Sequence, residues 1–134
     1  MTWRANPPPA EQSYKAMKAA LAAGANFWNG GEGYRSPERN SLHLLYEYFT
    51  KYSKDAEHVV ISIKGGLIPG QMTPDGSEQN VKRSIDECLR LLDCRKFLDL
   101  FECSRVDPNV PYETTIAAIN KYVDSPMSRG FLVS

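Results

Sequence analysis

The chain has 134 residues, with 16 Lys+Arg against 16 Asp+Glu, so its formal net charge is zero and its sequence pI about 6.7. Apolar residues at 42% and charged residues at 24% match ordinary globular usage, which excludes a disordered chain and predicts one folded domain of modest size. Zero net charge argues against nucleic-acid or membrane-surface binding by bulk charge, no apolar run approaches the roughly 18 residues of a membrane span, and three scattered cysteines make no disulfide framework. The opening segment MTWRANPPPAEQ has no apolar stretch of the secretory kind, so a cytoplasmic domain without nucleic-acid or membrane partners is expected.

In chain order, the first helix is predicted over residues 9–23, with Tyr14, Met17 and Leu21 on one face and Gly24 as its stop. A short strand over 26–29 follows, then a glycine-rich loop over 30–34. Ser36 and Pro37 read as the cap and first turn of a second helix, whose stripe is Leu42, Leu45, Phe49 and Tyr52. Residues 58–64 (HVVISIK) form a β-branched run that reads as a buried parallel strand, apolar on both faces. An irregular loop spans 65–76. Ser77 caps a third helix with Val81, Ile85, Cys88, Leu89 and Leu92 inward. A strand is predicted over 97–103 (FLDLFEC), a fourth helix begins at Pro111 with Ile116, Ile119 and Val123, and residues 131–134 read as a last strand.

Strand starts near 26, 58, 97 and 130 lie about 32 to 39 residues apart, the spacing of βα units. Both an open doubly wound sheet and a closed (β/α)₈ barrel use such units, and periodicity does not choose between them. Both place functional residues just beyond the C-terminal ends of the strands. That rule selects Asn29, Glu32 and Tyr34 after the first strand, Lys64 at the end of the second, and Cys103, Ser104, Arg105 and Asp107 after the third.

Tyr34 and Lys64 stand out within this set. A tyrosine hydroxyl has a reference pKa of about 10, and a neighbouring ammonium stabilises the phenolate and makes the group a usable general acid. Such an acid suits protonation of the alkoxide formed when hydride reaches a carbonyl carbon. A tyrosine in a loop and a lysine at a strand end also occur together by chance. Lys64 is the more telling of the two, because a charge that directly continues VVISI needs a solvated or paired end.

The remaining candidates are weaker. GGEGY lacks both the P-loop lysine and the G-x-G-x-x-G order, so it reads as a flexible turn. Cys88 belongs to the apolar stripe, Cys94 to a turn, and Cys103 has no evident histidine partner. His43 and His58 have no spacing that suits zinc, so no metal is expected. Arg39, Lys51, Lys54, Lys82 and Arg83 read as solvated helix faces.

The segment GANFWNGGEGY resembles the aldo-keto reductase signature, in which a strand-end aspartate precedes the catalytic tyrosine by five positions. VVISIKGG is similar to the segment that carries the family's catalytic lysine, and LRLLDCRKFLDLFECSRVDPNVPYETT to that around the fourth strand. The resemblance covers nearly the whole chain and is closest to the fungal pyridoxal reductase-like branch. It implies an incomplete (β/α)₈ TIM barrel, running from near the end of the family's first strand to its fifth. About four strands and four helices would form this part of a barrel that typically takes about 250 residues.

The resemblance also implies an activity: NADPH-dependent reduction of an aldehyde or ketone, with pyridoxal to pyridoxine as the specific expectation. Tyr34 would be the general acid, Lys64 would tune it, and Asn29 would hold Lys64. Thr2, Trp3 and Ser134 match positions at the nicotinamide end. The family's aspartate falls on Asn29 and its carbonyl-orienting histidine on Ser104. The negative charge opposite Lys64 is therefore expected to be lost, leaving an unpaired ammonium that favours the phenolate further. A small-molecule carbonyl substrate and self-association through exposed sheet edges are expected. Two other readings stand beside this one: a reductase-like module without catalysis of its own, and a flavodoxin-like binding domain.

Overall fold

The computed structural model describes residues 6–122. Its elements are α1 (Ala10–Ala22), β1 (Phe27–Gly31), α2 (Ser41–Lys51), a 3-10 helix (Ser53–Glu57), β2 (Val60–Gly65), α3 (Glu78–Leu92), β3 (Leu100–Cys103) and α4 (Tyr112–Asn120). The expected strand over 131–134, together with Val123, Thr2, Trp3 and Ser134, lies outside the described residues.

The three strands form one parallel sheet in the order β1-β2-β3. Asn29 faces Ser62 and Gly31 faces Lys64 across the first pair; Ser62 faces Leu100 and Lys64 faces Glu102 across the second. Because side chains alternate along a strand, the sheet sorts its residues into two sets. Ile61, Ile63 and Phe101 are fully buried in a core shared with Leu42, Leu45, Phe49, Val81, Ile85 and Cys88 of the helices. The opposite set contains Asn29, Ser62, Lys64 and Glu102. The expectation that β2 is apolar on both faces is therefore corrected: its second face carries a serine and a lysine that bond to neighbouring strands.

Two loop boundaries also differ from expectation. Gly30 and Gly31 belong to β1, where they pair with Ile63 and Lys64, because Ser41 Oγ both donates to the Gly31 carbonyl and accepts from its N–H, each at 2.8 Å. Helix α2 starts at Ser41 and is capped by Asn40. The Asn40 side chain accepts from Leu42 N at 2.9 Å, and His43 Nδ1 accepts from Asn40 N at 3.2 Å. Ser36 instead closes a short bridge with Arg39, and Arg35 sits at φ 95, so residues 35–39 turn before the helix begins. By contrast Ser77 caps α3 as expected, accepting from Asn80 N at 3.3 Å.

An aromatic cluster joins α1, β1 and α2. Trp28 and Tyr48 lie 5.3 Å apart edge-on, as do Tyr48 and Phe49. Two carboxylates serve its hydroxyls. Asp55 accepts from Tyr48 Oη at 2.5 Å and from Lys18 Nζ at 3.0 Å; Glu47 accepts from Tyr14 Oη at 2.9 Å and from Arg39 Nη2 at 2.8 Å. Burial acts to raise the Asp55 carboxyl, and the Tyr48 and Lys18 bonds outweigh it, so the group sits below its ordinary value. The Arg39 bond holds Glu47 down as well. Burial and the Glu47 bond push Tyr14 up to about 12.

The sign for acid stability follows directly. A carboxylate depressed by folding stabilises the fold above its unfolded value, about 4, and loses that contribution as pH falls. Melting temperatures taken from pH 7 to pH 3 are expected to hold down to about pH 4.5 and then to drop. Asp55→Asn is expected to flatten part of that drop. A melting temperature independent of pH over this range would contradict the assignment.

Candidate active site

The site forms at the C-terminal end of the sheet. Lys64, the penultimate residue of β2, directs Nζ to Asn29 Oδ1 at 2.9 Å and lies 3.6 Å from Glu102 Oε2. Asn29 Nδ2 reaches the Ser62 carbonyl and Glu102 Oε1, each at 3.4 Å. Ser62, wholly buried, donates its hydroxyl to Glu102 Oε1. The expectation of an unpaired Lys64 ammonium is therefore corrected: Glu102, placed across from it by the parallel register, supplies a carboxylate.

Tyr34 is brought in by the loop after β1. Its N–H donates to the Gly31 carbonyl at 3.2 Å, and Glu32 N donates to the Lys64 carbonyl at 2.9 Å, so the loop folds back over the end of β2. The Tyr34 ring then lies on the Gly31 backbone. A Cβ at Gly31 would stand 3.2 Å from ring atoms Cδ1 and Cε1, and 3.3 Å from the Lys64 carbonyl oxygen. Glycine at position 31 thus permits the close approach of ring and strand.

Tyr34, Lys64, Ser104 and Arg105 line one cavity of about 130 Å³, with Gly33, Leu67 and Met72 as its remaining wall. Ser104 is held there by its N–H, which donates to the Gly65 carbonyl at 2.9 Å. The expected residues Tyr34, Lys64, Asn29 and Ser104 all lie at this end of the sheet, and Tyr34, Lys64 and Ser104 share the cavity. The nicotinamide-end residues Thr2, Trp3 and Ser134 lie outside the described residues. Glu102 joins the site unexpectedly, although like Lys64 it is a charge set in an apolar strand run.

Other strand-end residues have structural duties. Asp107 accepts from Gly76 N at 3.0 Å and from Asn109 N at 2.8 Å, bracing the loop after β2. Burial pushes the Cys103 and Cys88 thiols up, which makes both poor nucleophiles. Among the described residues no group of three or more His, Cys, Asp or Glu could hold a metal ion. Within the same bounds, no helix is long and apolar enough to cross a membrane.

The model of the aldo/keto reductase family matches residues 1–129. The chain belongs to the aldo/keto reductase family. Its three described βα units, with strands in consecutive order, are consistent with part of the (β/α)₈ barrel that the resemblance implies. The chain is 43% identical to a Schizosaccharomyces pombe protein named "Probable pyridoxal reductase 2" over 93% of its own length and 38% of that relative's. It is 33% identical to the L-glyceraldehyde 3-phosphate reductase of Escherichia coli over 86% of its length and 34% of that protein's. It thus spans little more than a third of the length of the curated relatives it matches.

In this family member Arg83 is no simple solvated face, and that expectation is corrected. Arg83 donates to Glu32 Oε1 at 3.0 Å, to the Leu67 carbonyl at 2.9 Å and, through Nε, to Asn80 Oδ1 at 2.9 Å. Ser84 Oγ donates to Glu32 Oε2 at 2.7 Å. Helix α3 therefore grips both the loop that carries Tyr34 and the loop after β2. Loss of bonds to a charged group costs about 1–3 kcal/mol. Arg83→Met is expected to cost that much and to speed hydrogen exchange of amides 32–35 more than those of α1. Equal exchange in both segments would argue against the anchor.

Proposed function

We propose that the chain carries the reacting residues of an NADPH-dependent reductase that converts an aldehyde or ketone to the alcohol, pyridoxal to pyridoxine being the specific pair. The observation that carries this reading is the shared cavity of Tyr34, Lys64 and Ser104 at the ends of β1, β2 and β3. Its described lining offers two hydroxyls, two cations and two apolar side chains, with no carboxylate. That set fits the reacting end of a carbonyl beside a nicotinamide, where negative charge develops on oxygen.

When bound, NADPH supplies the hydride to the carbonyl carbon. The Tyr34 hydroxyl donates its proton to the carbonyl oxygen, and the resulting phenolate, in the cavity that Lys64 also lines, is reprotonated from water. Asn29 holds Lys64 in place, and Ser104 donates one hydrogen bond to the carbonyl oxygen. Thr2, Trp3 and Ser134 are the residues proposed to hold the nicotinamide end, as the family resemblance implies. The pyridoxal assignment rests on the name of the S. pombe relative.

The test is NADPH binding to the 134-residue chain by fluorescence, together with loss of NADPH absorbance in the presence of pyridoxal. Saturable binding and pyridoxal-dependent oxidation are expected. Absence of both would support the reading as a module without catalysis of its own.

A further inference from the structure

We propose that Glu102 is the positioning residue of Lys64: from β3 it supplies the negative charge that β1 does not, while Asn29 and Ser62 hold the pair in place. Its catalytic consequence rests on the reductase reading above; its structural content does not.

The geometry assigns each atom of the cluster one part. The Glu102 carboxylate divides its oxygens, Oε1 receiving the Ser62 hydroxyl and the Asn29 amide, Oε2 facing Lys64 at 3.6 Å. The Asn29 amide is oriented in the complementary sense, with Oδ1 accepting from the ammonium at 2.9 Å and Nδ2 turned to the carboxylate. An aspartate at position 29 would have no N–H to offer Glu102 and would set two carboxylates side by side. Asn29 and Glu102 therefore explain each other. The neutral amide bridges a cation and an anion that neighbouring strands place on the same face. Ser62, fully buried between them, limits where the carboxylate can go. Of this cluster Lys64 lines the cavity that Tyr34 and Arg105 also line, and a second cation there adds to the need for a counter-charge.

The bland alternative is an ordinary surface ion pair, worth little because both side chains are partly solvated, at 32% and 23% exposure. The two readings part on what Lys64 does when Glu102 is neutral. Acylation of Lys64 Nζ in the full chain by an amine-reactive acetylating reagent, read by peptide mass spectrometry, measures this without turnover. A neighbouring carboxylate favours the ammonium over the reactive amine, so Glu102→Gln is expected to raise the Lys64 rate about threefold or more. Asn29→Asp/Glu102→Gln, which moves the carboxylate from β3 to β1, is expected to return the rate toward that of the parent chain. Lys18 and Lys121 serve as internal standards and are expected not to change.

A Lys64 rate unaltered in Glu102→Gln would overturn the proposal, as would failure of Asn29→Asp to reverse the increase. If Glu102→Gln fails to fold, every lysine including buried Lys96 reacts faster. Glu102→Leu, which removes the charge and suits the apolar run of β3, then reads the same question: a Lys64 rate raised relative to Lys18 and Lys121 supports the proposal and an unaltered one overturns it. Turnover measured in parallel separates this claim from the reductase reading. With turnover present, kcat should fall several-fold in Glu102→Gln, recover in the double variant, and leave KM for NADPH unchanged. Absence of turnover in the parent chain would sink the reductase reading and leave the acylation rates to decide the role of Glu102.

Discussion

Tyr34→Phe is expected to lower kcat for NADPH-dependent carbonyl reduction by about 10²–10⁴-fold, the range that a positioned general acid contributes. Phenylalanine keeps the ring that lies on Gly31, so the loop and its contacts to β2 should persist. What disappears is the hydroxyl of a residue that lines the same cavity as Lys64 and Ser104. The loss should therefore fall on kcat, with NADPH binding by fluorescence kept. Lys64→Met should lower kcat as well, through the same proton. In a Tyr34→Phe background it should then cost little more, since two residues acting as a unit are not additive. The comparison uses initial rates with saturating pyridoxal. Turnover unchanged in Tyr34→Phe would mean that the proton reaches the carbonyl oxygen by another route, and the assignment of Tyr34 would fail.

Much of this arrangement was legible in the sequence because it is written in local periodicity. The α3 stripe of Val81, Ile85, Cys88 and Leu92 is buried as its spacing predicts, and Ser77 caps it. Lys64 announced itself as a charge at the end of an apolar run. The errors have a common physical cause, which is dependence on partners distant in the chain. Ser36-Pro37 is a good helix start by local rules. The bridge from Ser36 to Arg39 and the Arg35 backbone delay the helix until Asn40 caps it. FLDLFEC contains two carboxylates, Asp99 and Glu102. Which one meets Lys64 depends on the register of β2 against β3, and no local pattern states that register. Asp99 instead accepts from Ile61 N at 2.9 Å and pairs with Lys96. Arg83 likewise looks like any exposed helical arginine until the loops at Glu32 and Leu67 fold onto it.

Gly65→Ala is expected to be the most damaging single methyl group in the described chain, at about 2–4 kcal/mol from overpacking plus disrupted polar contacts. Gly65 ends β2 beneath α3, and a Cβ there would collide with Ser84 Oγ and stand 2.6 and 2.7 Å from Phe101 Cε2 and Cζ. Neither neighbour can yield cheaply. Phe101 is fully buried in the core, and Ser84 Oγ serves Gly66 N at 2.9 Å and Glu32 Oε2 at 2.7 Å. Pushing Ser84 away would strip a partner from the carboxylate that, with Arg83, holds the Tyr34 loop. The same substitution at Gly30 meets the end of a flexible side chain, Ile63 Cδ1 at 3.0 Å, and Ser41 Oγ at 3.2 Å, so it should cost less. Urea unfolding of both variants provides the comparison, with hydrogen exchange at residues 32–35 as the second readout. A larger loss at Gly30 than at Gly65 would contradict the packing argument. Equal loop protection in Gly65→Ala and the parent chain would break the link from the end of β2, through Ser84, to the loop that carries Tyr34.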